Sequence, residues 1–399
     1  MPVGGARRVL IAGGGIGGLA AALALQRRGF DPVVYERAEE LRDGGAGLHI
    51  WTNGVLALDH LGLADQVLAV APAQQTARFT TWRGETLGAW PIGDFTARYG
   101  RPTIAVERSV LHGVLREALA RRGAEPVHTG AHVVGFDQRP GGVVVRFADG
   151  TSASGDVLIG ADGIHGAVRR VLLGDTPPRH TGYIAWRGRA PLDHPDIPPG
   201  TFNAVFGPGT RFTYYDVAPG LVHWMSVANG PAGGRDEPGV RDLLLRRHRD
   251  WAGPVADLLA GTPEEWIIRG DVQYRRPDRR WSEGLVTLLG DAAHPITFNI
   301  GQGACQALED ALVLAEHLER DRGDPASALL RYERERRART APMQRVAHWI
   351  GRMGAVEHPL AIRAREAFMR RNWDTRAFAA AEKEQVAYGT RWTRTALPA

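Results

Sequence analysis

Three glycines near the start of the chain have a spacing that suits phosphate binding. Gly13, Gly15 and Gly18 form the pattern G-x-G-x-x-G, and Glu36 follows about one strand–helix–strand unit later. In such a pattern the first glycine allows a tight turn, the second lets the backbone approach a pyrophosphate, and the third lets helix and strand pack closely. The helix N-terminus presents free N–H groups to the phosphate, and an acidic side chain suits a ribose hydroxyl pair. The stretch predicts a dinucleotide-binding site.

Two later stretches carry a carboxylate beside glycine. Asp162 lies within Gly160–Gly163, directly after an apolar run, and Asp291 follows Gly290 after a second apolar run. A carboxylate at the end of a buried strand can bond ligand hydroxyls, and the neighbouring glycine lets the backbone approach the ligand. Gly301–Gly303 then opens an amphipathic helix whose N-terminal dipole suits developing negative charge.

The elements that must position these residues predict an α/β protein. Buried strands are expected at 9–12, 31–35, 157–159 and 285–289, and helices at 19–28, 53–68, 107–122, 240–259 and after Gly303. Short alternating segments between 183 and 228, separated by Gly and Pro turns, predict an antiparallel sheet. The fold class is therefore a Rossmann-like domain with a parallel sheet, a substrate domain with a mostly antiparallel sheet, and C-terminal helices.

The predicted division of the chain is discontinuous. Residues 1–72, 98–180 and 270–340 are assigned to the cofactor-binding domain, 73–97 and 181–269 to the substrate domain, and 341–399 to a C-terminal helical region. The length of 399 residues favours more than one core.

Composition narrows the function classes. The net charge is +5, yet Glu333 and Glu335 interrupt the basic segment at 331–339 and no aromatic platform accompanies it, so nucleic-acid binding is not expected. No apolar run reaches the length of a membrane span. The single cysteine, Cys305, excludes internal disulfides and thiolate clusters; with no signal sequence ahead of the first strand, we expect a cytoplasmic protein. His49 and His294 are not expected to bind a metal.

Together, the three stretches resemble the flavin-dependent aromatic hydroxylases of the para-hydroxybenzoate hydroxylase type. They read VLIAGGGIGGL at 9–19, GADGIHGAVR at 160–169 and GDAAHPITFNIGQGACQALEDAL at 290–312, and the likeness covers most of residues 1–340. Residues 45–63 and 152–163 look closest to the urate hydroxylase-like and hydroxybenzoate 6-hydroxylase-like branch.

The resemblance implies an FAD-dependent monooxygenase that hydroxylates a small aromatic molecule. In that family NADH or NADPH reduces FAD, O2 adds at the flavin C4a position, and the hydroperoxide transfers oxygen to the ring. A separate nicotinamide domain is not needed, because the nicotinamide binds transiently at the flavin. The choice between NADH and NADPH, the substrate and the oligomeric state, monomer or homodimer, stay open.

The resemblance also implies which residues contact FAD. Asp291 matches an aspartate that bonds the ribityl chain, and Asp162 one near the pyrophosphate and the nicotinamide approach. Arg108 matches an arginine near the phosphates, while Glu36 and Arg37 match the adenosine-binding pair. The expected cofactor contacts are Gly13, Gly15, Ile16, Gly17, Gly18, Glu36, Arg37, Arg108, Val134, Asp162, Gly163, Asp291, Gly301, Gln302, Gly303 and Ala304.

The substrate side is less specific in sequence. Arg211 and His223 match positions that face substrate in urate hydroxylase-like relatives, where Arg211 could pair with an anion and His223 could move a proton. The alternatives are an arginine at a hairpin edge and a hydrogen-bonded sheet histidine, so no catalytic residue is assigned beyond these two candidates. The expected substrate contacts are Arg211, His223, Trp186, Tyr215 and Phe298, and strand alternation lets only about half of the sheet's aromatic residues face the flavin.

Three positions depart from the family pattern. Phe298 stands where a proline is usual, Gly166 where a serine is common, and Ala185 where urate-type members carry an amide. We therefore expect a larger or more apolar aromatic than urate. The open alternatives are a flavoprotein of this fold that performs epoxidation or N-oxidation, and a non-catalytic flavin- or ligand-binding protein. A plain NAD-dependent dehydrogenase would not explain the second and third stretches.

Overall fold

The computed structural model describes residues 7–40, 47–121, 127–236 and 238–393. Its strands are β1 Arg8–Ala12, β2 Asp31–Tyr35, β3 Gly47–Ile50, β4 Ala73–Gln74, β5 Thr76–Thr81, β6 Thr86–Trp90, β7 Thr103–Glu107, β8 Val127–His128, β9 Val133–Arg139, β10 Gly142–Phe147, β11 Ser152–Gly155, β12 Val157–Gly160, β13 Arg179–Pro191, β14 Thr201–Phe206, β15 Thr210–Ala218, β16 Leu221–Asn229, β17 Ile268–Tyr274, β18 Ser282–Glu283 and β19 Val286–Leu288. Its α-helices are α1 Ile16–Gln26, α2 Thr52–His60, α3 Ala64–Leu68, α4 Asp94–Tyr99, α5 Arg108–Ala120, α6 Ala167–Leu173, α7 Val240–Arg247, α8 Val255–Ala260, α9 Gly303–Arg320, α10 Pro325–Gly354, α11 Pro359–Asn372 and α12 Phe378–Ala381.

A six-stranded sheet in the order β18-β19-β12-β1-β2-β8 forms the first layer. β19, β12, β1, β2 and β8 run parallel, and only β18 is antiparallel to its neighbour. β1, β12 and β19 are apolar and buried because helices cover the sheet; Leu19 and Leu23 of α1 and Leu308 and Leu312 of α9 are fully buried in the same core. The predicted parallel sheet is confirmed.

A seven-stranded sheet in the order β17-β13-β16-β15-β14-β5-β6 forms the second layer. Its pairs are antiparallel except β14 with β5. α7 and α8 cover one face and share an apolar core with it. The strands come from residues 76–90 and 179–274, close to the predicted substrate domain, whose exact boundaries stay a prediction.

Several predicted helices are divided in the structure. The helix expected at 53–68 ends at His60 and resumes at Ala64, because Gly62 has a φ of +66° that no helix accommodates. The helix expected at 240–259 is likewise split into α7 and α8. α10 and α11 begin the expected C-terminal helical region. Residues 45 and 46 of the family-like stretch, and 394–399 of the C-terminal region, lie outside the described residues.

Candidate cofactor and substrate site

The three glycine-bearing turns meet at the carboxyl edge of the parallel sheet. β1, β12 and β19 lie side by side, and each leads directly into one turn. Gly13, with a φ of +110°, packs so closely on the second turn that a Cβ there would collide with the Ala161 carbonyl. A Cβ at Gly17 would lie 2.7 Å from Leu289 Cδ2, at the start of the third turn. The three stretches therefore converge on one edge of the sheet.

The first two turns leave space where a ligand would lie. No heavy atom beyond the chain neighbours lies within 4 Å of a Cβ built at Gly15, which precedes Ile16 at the start of α1, or at Gly163. Asp162 Oδ2 accepts the Val168 N–H at 3.1 Å, whereas its buried Oδ1 has no hydrogen-bond partner. Burial raises the pKa of Asp162. Buried polar atoms are nearly always paired, so an unpaired Oδ1 indicates that a partner is missing. A donor group on a bound ligand would supply it.

Asp291 stands at the third turn, close to Arg108. The Asp291 side chain is exposed to solvent, yet the protein around it desolvates the carboxyl and raises its pKa, with the charges of His294 and Arg108 acting against that rise. Arg108 is the first residue of α5 and is half-buried. A carboxylate and a guanidinium thus lie together at the third turn. The carboxylate suits ligand hydroxyls, and the guanidinium suits ligand phosphates.

The Glu36 carboxylate orders the first turn. Its Oε2 accepts the Gly14 N–H at 2.8 Å and its Oε1 accepts the Ala38 N–H at 2.9 Å. On the other side, His112 Nε2 lies 2.7 Å from the Gly14 carbonyl oxygen, a buried contact that the sequence analysis missed. Arg37 is exposed, and its charge offsets only a small part of the rise that burial causes in the pKa of Asp162. The bonds from Glu36 and His112 hold the first glycine-bearing turn in place from both sides.

Val134 and the third turn complete the expected cofactor contacts. Val134 is exposed at the start of β9. Gln302 is fully buried and exchanges hydrogen bonds with Asn53, at 3.0 Å and 3.3 Å, so its amide anchors the turn instead of facing the opening. Gly303 and Ala304 are half-buried in the first turn of α9. A Cβ at Gly301 would lie 2.8 Å from Trp51 Nε1, a buried donor without a partner.

A buried ionic network holds the third turn from behind. Asp310 accepts the Gly290 N–H at 2.9 Å, lies 2.5 Å from His294 Nε2 and accepts from Arg336 at 2.6 Å. Arg336 also pairs with Glu309 at 2.7 Å. Burial alone would raise the pKa of Asp310, but the charges of His294 and Arg336 outweigh it and lower the pKa to about 2. Asp310 is therefore an ionised anchor for the Gly290–Asp291 turn.

The seven-stranded sheet presents two chemically different faces. Arg211, Tyr215 and His223 lie on the face toward the cofactor-binding layer, where Tyr215 packs with Ala105 of β7. Trp186 lies on the opposite face, packed under α7 and α8, and its Nε1 donates to Asp236. Alternation along β13 points it away from the three turns, so we do not keep Trp186 among the substrate contacts.

Arg211 joins this inner face to the loop before α9. It is buried; its guanidinium donates to Asn299 Oδ1 at 2.5 Å and to the Gly351 carbonyl at 3.0 Å. It stacks over the rings of Tyr183 and Phe298, at 4.8 Å and 5.6 Å from their centroids. No carboxylate of the described residues forms an ion pair with it, and burial lowers its pKa. A buried positive charge without an anionic partner lies beside the third turn.

His223 and His49 belong to an aromatic cluster between the two layers. His223 Nδ1 accepts the Gly47 N–H at 3.1 Å, and burial lowers the pKa of His223 to about 3, so the ring is neutral with its proton on Nε2. His49 is also neutral, with a pKa lowered to about 3 by burial, and its buried Nε2 has no partner. The two rings flank Tyr215, at 5.2 Å and 5.7 Å between centroids. The sequence analysis considered His49 only as a metal ligand.

These features fit an adenine dinucleotide that carries a flavin. Four features lie along the carboxyl edge of the parallel sheet: the open glycine turn, the unpaired Asp162 Oδ1, exposed Asp291 and half-buried Arg108. Among the described residues, no group of three or more His, Cys, Asp or Glu side chains could hold a metal ion. No helix in the described ranges is long and apolar enough to cross a membrane.

Comparison with known proteins agrees with this geometry. Residues 6–186 and 260–347 match the FAD binding domain family. The chain is 40% identical over 362 residues, 91% of its length and 93% of the other protein, to the aurachin C monooxygenase/isomerase of Stigmatella aurantiaca. It is 35% identical over 370 residues to a chloroplastic zeaxanthin epoxidase from an Oncidium hybrid cultivar, across 88% of this chain and 55% of that protein.

A solved structure with bound FAD is also similar to this chain. The crystal structure of Klebsiella pneumoniae HpxO complexed with FAD and uric acid superposes with a TM-score of 0.87 and 32% sequence identity, covering 97% of both chains. The chain therefore belongs to the FAD binding domain family and is an FAD-dependent monooxygenase with the fold of the group A flavoprotein hydroxylases.

Proposed function

We propose that this monooxygenase hydroxylates a small aromatic molecule, with NADH or NADPH as the reductant and O2 as the oxygen source. The observation that carries the proposal is the apposition of two features. The three turns that fit FAD converge on one edge, and the inner face of the seven-stranded sheet brings Arg211, Tyr215 and His223 toward that edge. Bound FAD would supply electron transfer and oxygen activation, and the chain supplies the enclosure.

The side chains on the inner face of the seven-stranded sheet favour a substrate with an electron-rich ring that carries a negative charge or readily forms one. Arg211 has no carboxylate partner among the described residues, and a buried guanidinium is stabilised by an anion such as a phenolate. Phe298 and Met225 both pack against the buried cluster of Tyr183, Val227 and Val272, so the same region has a largely apolar lining. That lining would exclude water, which protects a reactive oxygen donor from wasteful breakdown.

The neutral histidines suit hydrogen bonds to oxygens of the substrate. His223 would offer its Nε2–H to a substrate oxygen, whereas His49 has an unpartnered Nε2 that could accept a hydrogen bond in its Nδ1–H form. Since burial lowers the pKa of both histidines to about 3, they are weak bases at neutral pH, and we expect them to orient substrate oxygens by hydrogen bonds while the proton that leaves the substrate ring is taken up by another base or by water.

A basic cleft beside α6 supports the proposed use of NAD(P)H. The cleft has a volume of about 290 Å³, and its lining includes His165, Arg170 and Arg275. Arg275 donates to the backbone carbonyls of Ile164 and Thr176, and burial lowers its pKa. His165 follows directly after Gly163-Ile164 of the second turn. Because the Arg275 guanidinium already donates to these carbonyls, Arg170 and His165 would be the donors to a dinucleotide pyrophosphate in this cleft, beside the second turn.

The test is a screen of phenolic and related aromatic compounds for stimulated NAD(P)H oxidation by the FAD-loaded enzyme. We expect one compound class to accelerate oxidation and to yield a product that carries one oxygen atom from labelled O2. Labelled water as the oxygen source would contradict the proposal. Arg211→Met should raise KM for anionic compounds much more than for neutral ones, with unchanged flavin content.

Epoxidation is the second candidate, because a zeaxanthin epoxidase aligns with 88% of this chain. Both reactions add one oxygen atom, so mass alone does not separate them. A hydroxylated product keeps its ring unsaturation, whereas an epoxide loses one carbon–carbon double bond, which proton NMR detects. If no compound stimulates NAD(P)H oxidation although FAD is bound, the alternative of a non-catalytic binding protein gains support.

A further inference from the structure

Four large apolar side chains are exposed together on the last two long helices. Val346 and Trp349 of α10 are 45% and 52% exposed, and Leu360 and Phe368 of α11 are 65% and 43% exposed. The rings of Trp349 and Phe368 meet edge to face with centroids 6.1 Å apart, so the two helices present one continuous surface. We name these four residues the α10–α11 patch.

Arginines surround each part of this patch. Arg345 and Arg352 lie one helical turn to either side of Trp349, Arg363 lies three residues after Leu360, and Arg371 lies three residues after Phe368. Residues three or four apart in a helix are neighbours on its surface. All four arginines are exposed and form no ion pair with the described residues.

The acidic residues of this region do not neutralise the rim. Glu357 is exposed three residues before Leu360 and keeps its negative charge, since its partner at 2.7 Å is the neutral Asn229 amide, whereas Glu366 is buried beside Arg365, with their charged atoms 3.6 Å apart. By contrast, exposed Arg370 donates to Glu85. Four exposed arginines against the exposed carboxylate of Glu357 leave the patch with a net positive charge.

The patch lies on the outer side of two helices whose inner sides are bonded to the seven-stranded sheet. On the opposite side of α10, the Gly351 carbonyl accepts from Arg211, and a Cβ at Gly354 would collide with the same guanidinium. On α11, buried Arg365 donates to the Gly207 carbonyl at 3.1 Å. The two helices are therefore pinned to the seven-stranded sheet while their outer faces stay in solvent.

We propose that the α10–α11 patch docks on the surface of a membrane that contains anionic lipids. Tryptophan, phenylalanine and leucine insert at the boundary between headgroups and acyl chains, and arginines around them bind lipid phosphates. A second copy of this chain fits less well, because a two-fold interface would set the four arginines against their own equivalents. The proposal does not depend on the reaction that the enzyme catalyses.

The test is co-sedimentation of the full FAD-loaded chain with phosphatidylcholine vesicles, with and without added phosphatidylglycerol. We expect binding to the anionic vesicles that weakens as salt is raised, and little binding to phosphatidylcholine alone. Trp349→Ser with Phe368→Ser should reduce the bound fraction about tenfold or more, and Arg352→Ser with Arg363→Ser should do so by a similar factor. Flavin content should not change, because none of these residues lies at the cofactor edge.

The controls are Leu330→Ser and Arg334→Ser, which remove one exposed apolar side chain and one exposed arginine earlier in α10, outside the patch. Both should bind vesicles like the unaltered chain. Equal sedimentation of the patch variants and the controls would overturn the proposal. So would a homodimer in analytical ultracentrifugation that Trp349→Ser dissociates, combined with no vesicle binding, since the patch would then be an interface between copies. If the unaltered chain binds vesicles but no aromatic compound stimulates its NAD(P)H oxidation, that result would count against the proposed function alone.

Discussion

At the scale of single residues, Asp291 carries the clearest expectation for cofactor binding. Its carboxylate is exposed at the third turn within reach of Arg108, where it can accept ligand hydroxyls. We expect Asp291→Ala to weaken FAD binding about tenfold or more, since a charge-assisted hydrogen bond contributes about 1.5–3 kcal/mol. The measurement is the FAD dissociation constant by fluorescence titration. Asp250→Ala, at an exposed surface pair with Arg249, is the control. Equal FAD affinity in the two variants would remove Asp291 from the site.

Gly166 is a second residue with a physical explanation for its departure from the family. A Cβ at Gly166 would collide with the Asp162 carboxylate, which folds back onto the start of α6 and accepts the Val168 N–H. We expect Gly166→Ser to lower the free energy of unfolding by about 1–3 kcal/mol, the usual cost of overpacking, and to reduce FAD retention. Thermal unfolding and flavin absorbance measure the two effects.

A double variant separates this collision from a general loss of stability. Adding Asp162→Ala to Gly166→Ala removes the carboxylate with which the new Cβ collides, so the two changes should cost less together than the sum of their separate costs. Strict additivity would mean that the Asp162 carboxylate is not what requires glycine at this position.

At the scale of elements, the buried ionic network between α9 and α10 holds the third turn in place. Arg336 is fully buried and pairs with both Glu309 and Asp310. Arg336→Met would leave two buried carboxylates without their main cation, and we expect a loss of about 3–5 kcal/mol in the free energy of unfolding, together with weaker FAD binding. Urea unfolding of this variant against Arg334→Met, at an exposed position of the same helix, tests it. A loss below 1 kcal/mol, on the order of a surface change, would contradict the assigned role.

The same network shows what sequence reasoning could and could not provide. Continuous apolar runs before the second and third turns predicted β12 and β19, because a strand buried on both faces needs apolar residues throughout. Periodicity predicted α9 as well. However, the pairing of Arg336 with Asp310 depends on how two helices cross, and no local pattern encodes that crossing. Gln302 was expected to contact FAD, which stays a prediction, and no local pattern indicated that its side-chain amide would bond Asn53, far away in the chain.

Strand alternation gave similarly incomplete information about the substrate sheet. It predicted that only some aromatic residues of the substrate sheet would face the cofactor, but not which ones. The structure sets Tyr215 on the inner face and Trp186 beneath α7 and α8. A strand pattern that is apolar on both faces cannot identify the face that meets a partner layer. Arg211 could be singled out by type, whereas its contacts to Asn299 and Gly351 required the tertiary arrangement.

At the scale of the whole molecule, buried histidines should make stability depend on pH. His223 and His248 are buried and neutral, with the pKa of each lowered by burial to about 3. In the unfolded chain a histidine titrates near 6.5, so below that pH the unfolded state binds protons that the folded state does not. The free energy of unfolding should therefore fall as pH decreases from about 6.5 toward 3, by about 1.4 kcal/mol per histidine between roughly pH 7.5 and 5.5.

Asp162 and Asp291 act in the opposite direction. Their pKa values are raised, so as pH falls they bind protons in the folded state first and oppose part of the acid destabilisation. Comparing urea unfolding of the unaltered chain and of histidine variants across this pH range isolates the histidine contribution, because the carboxylates contribute equally to both. His223→Gln and His248→Gln should each remove about half of the fall expected from the pair, whereas His132→Gln, at an exposed position, should leave it unchanged. If both buried variants keep the full pH dependence, the acid sensitivity arises elsewhere, and a neutral His223 at the chamber wall loses its support.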